Sequence, residues 1–233
     1  GEEIAPNICK FFENGMFCNQ AFTQADWTLP AFSSMLTSLH VSRHGVSHPG
    51  PNDFSLSADI LTLPELMLKR GYRTYAHSGH NRFSPAYGHA KGFERFIFRP
   101  FSNEPSYIAI QDVIFHLDAH KDEHNFIMMH VFDTHPPYKP SSYLTDSFMG
   151  PFRDEDSYSK VRKNDDARID NMLEDEFKAK LKEFDISIAN LFSYLEDNNM
   201  VDDTLVIFTT DHGLAHRSME KPRLLNERIH APL

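Results

Sequence analysis

Along the chain, the spacing of apolar residues alternates between a helical and an extended rhythm. Ile8, Phe11 and Phe12 fall on one face of a helix over Asn7 to Gly15, with Gly15 as its stop, and Met16 to Phe22 reads as a strand. Thr28-Leu29-Pro30 then opens a second helix. Pro30 sits in the first turn, where its missing amide has no intrahelical partner to lose, and Phe32, Met35 and Leu36 follow at helical spacing. Beyond it the pattern predicts a helix over Leu63 to Arg70, a turn at Gly71, a strand over Arg73 to His77, a helix over Tyr107 to Ala119 and a strand over Asn125 to Phe132. A helix over Glu176 to Asp197 and a strand over Thr204 to Thr209 complete it. Strands that alternate with helices imply an α/β fold, a mostly parallel central sheet with helices on both faces. The segment Ser141 to Glu174 is rich in Asp, Ser and Arg and poor in apolar residues, which predicts a polar insertion or mobile loop.

Composition changes this picture little. With 233 residues and 40% hydrophobic content, the chain can bury one sizeable core and is read as one domain over 1–233. The net charge of -10 and the lack of any dense Lys/Arg run argue against nucleic acid as a partner. Cys9 and Cys18 have neither CxxC spacing nor the number for a disulfide framework. No stretch approaches the roughly 18 consecutive apolar residues of a membrane span. Any membrane association would come through segments outside this sequence. The chain also reads as incomplete at both ends, opening at a loop-like Gly1-Glu2-Glu3-Ile4 and stopping at Ala231-Pro232-Leu233.

The most informative segment is Leu205 to Gly213, an apolar run ending in Asp211-His212 and a glycine. Ligands of α/β sheets gather beyond the carboxyl ends of strands, and a carboxylate beside an imidazole suits a divalent metal. Taken alone, such a pair after a strand is more often a helix cap or turn. Thr28, at a helix entrance, is likewise either an N-cap or a nucleophile supported by helix amides.

Several segments together resemble the sulfatase family of the alkaline phosphatase superfamily. Thr28-Leu29-Pro30-Ala31, Leu36-Thr37 and His44-Gly45-Val46 are similar to its nucleophile-x-Pro-Ser, Leu-Thr-Gly and His-Gly-Val. Ala5-Pro6-Asn7-Ile8 resembles its Thr-Pro-Asn-Ile, and Gly71-Tyr72-Arg73-Thr74 its Gly-Tyr-x-Thr. Phe132 to Tyr138 resembles its His-x-Pro-Tyr loop, and Asp203 to Gly213 its Asn-Thr run into Ser-Asp-His-Gly. Lys221, Glu227 and Ala231-Pro232-Leu233 are similar to its closing lysine, glutamate and Val-Pro-Leu.

The resemblance implies an alkaline phosphatase-like sandwich and a metal-dependent ester hydrolase or transferase. Thr28 falls on the nucleophile position, and His135 on a residue that stabilises the equatorial oxygens of the reacting ester. His80, Arg82, His77, His44 and Lys221 are the implied substrate contacts. Asp211, His212 and Thr28 would ligate one divalent ion, Zn, Mn, Mg or Ca, with a further acid upstream of Ala5. It also implies an extracytoplasmic or periplasmic setting and a small-molecule, glycan or lipid ester as substrate.

The departures are informative. Family sulfatases place Cys or Ser, oxidised to formylglycine, where Thr28 stands, followed by Pro-Ser-Arg; here Pro30, Ala31 and Phe32 follow, and Leu39 stands where many have arginine. The resemblance therefore tilts toward Thr-nucleophile members such as phosphoethanolamine transferases, lipoteichoic acid synthases and related phosphodiesterases, and toward phosphate rather than sulfate. Two rivals remain open: a sulfuric ester hydrolase without formylglycine, and a non-catalytic binding protein on the same fold.

Overall fold

In the computed structural model, the described residues are 3–47, 55–99, 105–136, 138, 167–213 and 229–230. Contacts group the chain into two compact units: Gly1–Met16, Asn103–Gln111 and Phe132–Thr204 form the first, and Phe17–Ser102, Asp112–Val131 and Leu205–Leu233 the second.

The second unit carries the sheet. Its strands β1 (Arg73–Ser78), β2 (Arg95–Phe98) and β3 (Asn125–His130) run parallel in the order β2-β1-β3. Ala76 stands opposite Phe96 and Met128, and Ser78 opposite Phe98 and His130. Because side chains alternate along a strand, β1 serves two faces. Ala76 packs with Phe32, Leu36 and Phe83, bringing the helix Thr28–Thr37 (α2) onto one face. Tyr75, on the other, stacks on His116 of the helix Ser106–Ala119 at 4.5 Å. Helices therefore cover both faces of a parallel sheet, as the alternation predicts. The strand β2 was not foreseen, since Arg95-Phe96-Ile97-Phe98 is too short for its rhythm to register.

Around this core, helix Val41–His44 (α3) follows α2 and ends on Gly45 at φ 75°. Helix Leu63–Lys69 (α4) starts from a complete capping box between Thr62 and Glu65. Gly92, at φ 81°, lies so close to α4 that a Cβ would stand 2.2 Å from the Glu65 amide nitrogen, which only glycine allows.

The first unit holds helix Pro6–Phe11 (α1) and the long helix Ala167–Asp197, here α6; Ser106–Ala119, α5, begins in this unit. Phe11 stacks on Phe192 at 4.0 Å, and Asp185 accepts hydrogen bonds from the Asn7 and Ile8 amides and the Asn7 side chain. The carboxylate thus occupies the first turn of α1, where free amides favour negative charge. Helix α6 starts well before the expected Glu176, at Ala167, and takes in the end of the polar segment 141–174; residues 141–166 lie outside the described residues. Helix-favouring Ala, Arg, Met, Leu and Glu occur in this window, a propensity that apolar periodicity alone does not record.

Two expected strands form no ladder among the described residues. Met16 to Phe22 leaves Met16 and Phe17 exposed and, among the described residues, makes only an isolated bridge, Phe22 to His230. Thr204 to Thr209 has no ladder partner among the described residues, and Leu205 is 85% exposed. Apolar alternation encodes a preference for extended backbone; a strand exists only when a neighbour supplies its hydrogen bonds. No helix among the described residues is long and apolar enough to cross a membrane.

Candidate active site

The site is built on the first turn of α2. Trp27 is its N-cap, with extended backbone and no side-chain cap, and Thr28 is its first helical residue. The Thr28 hydroxyl therefore does not cap the helix. It lies 3.4 Å from His212 Nε2 instead, and Thr28 is only 6% exposed.

The chain around His212 orients itself locally. The His212 amide donates to Asp211 Oδ1 (3.0 Å), and Thr210 Oγ1 donates to the His212 carbonyl (2.8 Å). His212 Nδ1 lies 2.8 Å from the Gly213 carbonyl, an acceptor only, so Nδ1 carries a proton. In the neutral ring Nε2 then presents a lone pair toward Thr28 Oγ1. Asp211 Oδ2 is 3.5 Å from the same Nε2 and is buried with no hydrogen-bond partner among the described residues.

This is not the arrangement of a Ser/Thr-His-Asp relay, in which the carboxylate binds the ring nitrogen remote from the nucleophile. Here the hydroxyl and the carboxylate both approach Nε2. Two lone-pair atoms facing each other need a proton or a cation between them, and a buried carboxylate oxygen without a donor makes the same demand. The donor set of hydroxyl, imidazole and carboxylate fits a divalent ion. Among the described residues no third His, Cys, Asp or Glu joins them.

Behind Thr28, α2 is tied down by two histidines. Ser34 Oγ is 2.9 Å from His44 Nε2, while His44 Nδ1 accepts from the Val46 amide (3.1 Å), so the ring is neutral with its proton on Nε2. Burial pushes the His44 pKa down. Ser33 Oγ is 2.9 Å from Nε2 of His89, a residue wholly buried. Burial, with His44 adding a smaller repulsion, lowers the His89 pKa to about 3. His44 thus fixes α3 and the Gly45 turn to α2 rather than facing solvent. His89 carried no signal in the sequence beyond the turn-forming Gly88 before it.

The remaining expected contacts divide. Arg82 lies over the Trp27 ring at 5.8 Å and donates to Tyr87 Oη (2.8 Å), which brings its charge to the entrance of α2. His80, in the turn after β1, is partly buried, with its ring 6.5 Å from that of His130. His130, unremarked in the sequence, ends β3 on the α2 face and meets Phe32 edge-on at 4.8 Å. His77 belongs elsewhere: it shares the Tyr75 face of β1, 3.6 Å from Asp112 of α5, away from α2. Lys221 lies outside the described residues.

His135 belongs to the first unit. Its Nδ1 donates to the Pro136 carbonyl (2.6 Å) and its ring stacks on Phe132 at 4.1 Å. The preceding Asp133 is anchored to α6 by Lys180 Nζ at 3.2 Å, and Lys180 also meets Glu183 at 2.7 Å. Burial opposes the charge on Lys180, but Glu183 and Asp133 outweigh it and raise its pKa. The imidazole is thereby held in one tautomer on a loop with a buried ionic anchor.

Comparison with known proteins places the chain's fold and family. Among solved structures of 15–17% identity, the chain superposes on the sulfatase-type protein yidJ of Bacteroides fragilis with a TM-score of 0.77 and 15% identity, over 98% of this chain and 61% of that one. It superposes on the phosphonate monoester hydrolase of Agrobacterium radiobacter with a TM-score of 0.73 and 17% identity (98% and 62%). For the lipoteichoic acid synthase LtaP of Listeria monocytogenes the values are 0.64 and 17% (97% and 54%). The chain thus spans 54–62% of these relatives' lengths. No curated protein matches it. These likenesses establish the alkaline phosphatase-like α/β fold that the motifs imply. The sulfatase family model matches residues 1–233 in full, and the chain belongs to the sulfatase family.

Proposed function

We propose that the protein is a metal-dependent ester hydrolase or transferase that reacts through Thr28 and favours phosphate over sulfate esters. The observation that carries this reading is the convergence of Thr28 Oγ1 and Asp211 Oδ2, which has no hydrogen-bond partner among the described residues, on His212 Nε2, at 3.4 and 3.5 Å. Asp211, His212 and Thr28 would hold the ion, Zn, Mn, Mg or Ca. When bound, it acidifies the Thr28 hydroxyl and offsets negative charge on the ester.

Thr28 contributes the nucleophilic oxygen. Its Oγ1 gives its proton to solvent water and bonds to phosphorus, as the bond from phosphorus to the departing alkoxide breaks. The uncapped first turn of α2 offers backbone amides to the reacting anion, and Arg82 adds positive charge beside Trp27. His80 and His135 are placed in the reading as groups that hold ester oxygens or return a proton to the leaving alkoxide. Water or an acceptor hydroxyl then attacks the Thr28 phosphoester, which decides between hydrolysis and transfer.

Phosphate is favoured because threonine, unlike a formylglycine hydrate, has no aldehyde to collapse to; its ester must be opened by a second attack at the central atom. Phe32 is consistent with this. It is buried against Phe83 at 4.3 Å, where a formylglycine sulfatase has a cation. Two structural relatives are named for phosphonate monoester hydrolysis and lipoteichoic acid synthesis. Matched aryl phosphate and aryl sulfate substrates test the reading on wild type and Thr28→Ala. Faster phosphate turnover, lost in Thr28→Ala, is expected; faster sulfate turnover, or full activity in the variant, overturns it.

A further inference from the structure

His89 is a fully buried titratable side chain with no part in the chemistry proposed above. The Ser33 hydroxyl has one proton, and it is given to the Leu29 carbonyl at 2.9 Å. Toward His89 the hydroxyl is therefore an acceptor, so His89 Nε2 carries the proton that it donates at 2.9 Å. The other ring nitrogen, Nδ1, is buried with no hydrogen-bond partner among the described residues. An imidazole left half-satisfied in a core is unfavourable compared with a leucine of similar size. What this one does in return is grip a single helix.

The same turn holds α2 at a second point. Leu29, next to Thr28, forms a buried cluster with Val46 and Leu56, against which Trp27 and Tyr87 pack. The Leu56 amide donates to the Tyr87 carbonyl (3.0 Å). Gly88, at φ 76°, brings its backbone so close that a Cβ would lie 3.2 Å from the Leu56 nitrogen. Residues 87–89 thus press on the first turn of α2 through the Leu29 cluster and hold its second turn through Ser33. Rotation or sliding of α2 would break the His89 to Ser33 bond and displace Thr28 Oγ1 from His212.

We propose that His89, acting through Ser33, is a positioning residue that sets the register of the helix bearing Thr28. The inference rests on the reading of Thr28 as the reacting group. His89→Leu keeps the volume and removes the donor. His89→Gln keeps a donor near the Nε2 position, and Ser33→Ala removes the acceptor, leaving the buried Nε2–H unpaired.

With an aryl phosphate substrate, His89→Leu and Ser33→Ala should each lower kcat about tenfold or more with KM changed less than about twofold, since a misplaced reacting group loses rate rather than binding. His89→Gln should recover most of the rate. Amide hydrogen exchange in α2 should accelerate at least about tenfold in His89→Leu and Ser33→Ala. Unchanged kcat with a lower melting temperature, or a glutamine variant no better than leucine, would assign His89 to stability alone. Should Thr28→Ala keep full activity, the catalytic reading fails by itself. Hydrogen exchange then decides whether His89 grips α2: acceleration upholds the grip, and unaltered exchange overturns it.

Discussion

The two halves of the candidate site are held in opposite ways. Thr28 stands on a helix whose interior is tied to distant parts of the chain: Ser34 to His44, Ser33 to His89, and Phe32 and Leu36 to the sheet through Ala76 and Phe83. Asp211 and His212 follow an apolar run of which Leu205 and Ile207 are 85% and 64% exposed, and their geometry comes from bonds to Thr210, Gly213 and each other. A reacting oxygen must be kept in line to within a fraction of an ångström, which a buried, cross-linked helix does. A pair proposed to hold a metal ion needs a fixed tautomer and bite, which four consecutive residues supply by themselves.

The comparison is broken most directly at the proposed ligand pair. Asp211→Asn keeps the local shape but removes the charge. It should abolish any chelator-sensitive gain in melting temperature and lower phosphate ester turnover by about 100-fold or more, judged against what outer-shell changes alone do at metal sites. Elemental analysis and melting curves with and without chelator measure it. An intact metal content in the variant would remove Asp211 from the ligand set.

The Pro-rich loop of the first unit comes next. His135 keeps one tautomer through Pro136, so His135→Ala should cost about tenfold in rate, roughly 1.4 kcal/mol of barrier. The melting temperature should stay nearly unchanged, because the buried anchor of that loop is Asp133 with Lys180. A normal rate with reduced stability would make His135 structural.

Acid separates the two halves by a smaller amount. His89 has its folded pKa lowered from 6.5 to about 3, so between these values the unfolded chain binds more protons than the folded one. Its contribution is present above pH 6.5 and is lost as pH falls through the window toward 3. From pH 6.5 to 5.5 the loss should be about 1 kcal/mol. His44, lowered by burial, acts in the same direction. Denaturant melts at the two pH values, compared between wild type and His89→Gln, measure it. The glutamine variant should lose less, and an identical loss would show that His89 does not carry the effect.

Much was legible in the chain because it is written in neighbours along the sequence. The helix beginning at Thr28, the Gly71 turn into β1 and the strand Asn125 onward follow from spacing and punctuation within a few residues. The Asp211-His212-Gly213 geometry is also local. The family followed from several weak motifs in one order, which no single segment could supply.

Other features depended on partners far away in sequence. Whether Met16 to Phe22 or Thr204 to Thr209 becomes a strand rests on an adjacent backbone to bond, and neither has a ladder among the described residues. Which face of β1 His77 occupies is a question of register, and its place beside Asp112 rather than α2 follows from alternation about Ala76. That Thr28 is the first helical residue and not its cap depends on Trp27 taking the extended position. The pairing of Ser33 with His89, residues separated by 56 positions, leaves no periodic trace. Spacing records which face of an element is apolar; only packing decides which polar groups are carried into the interior with it, because each must find its partner there.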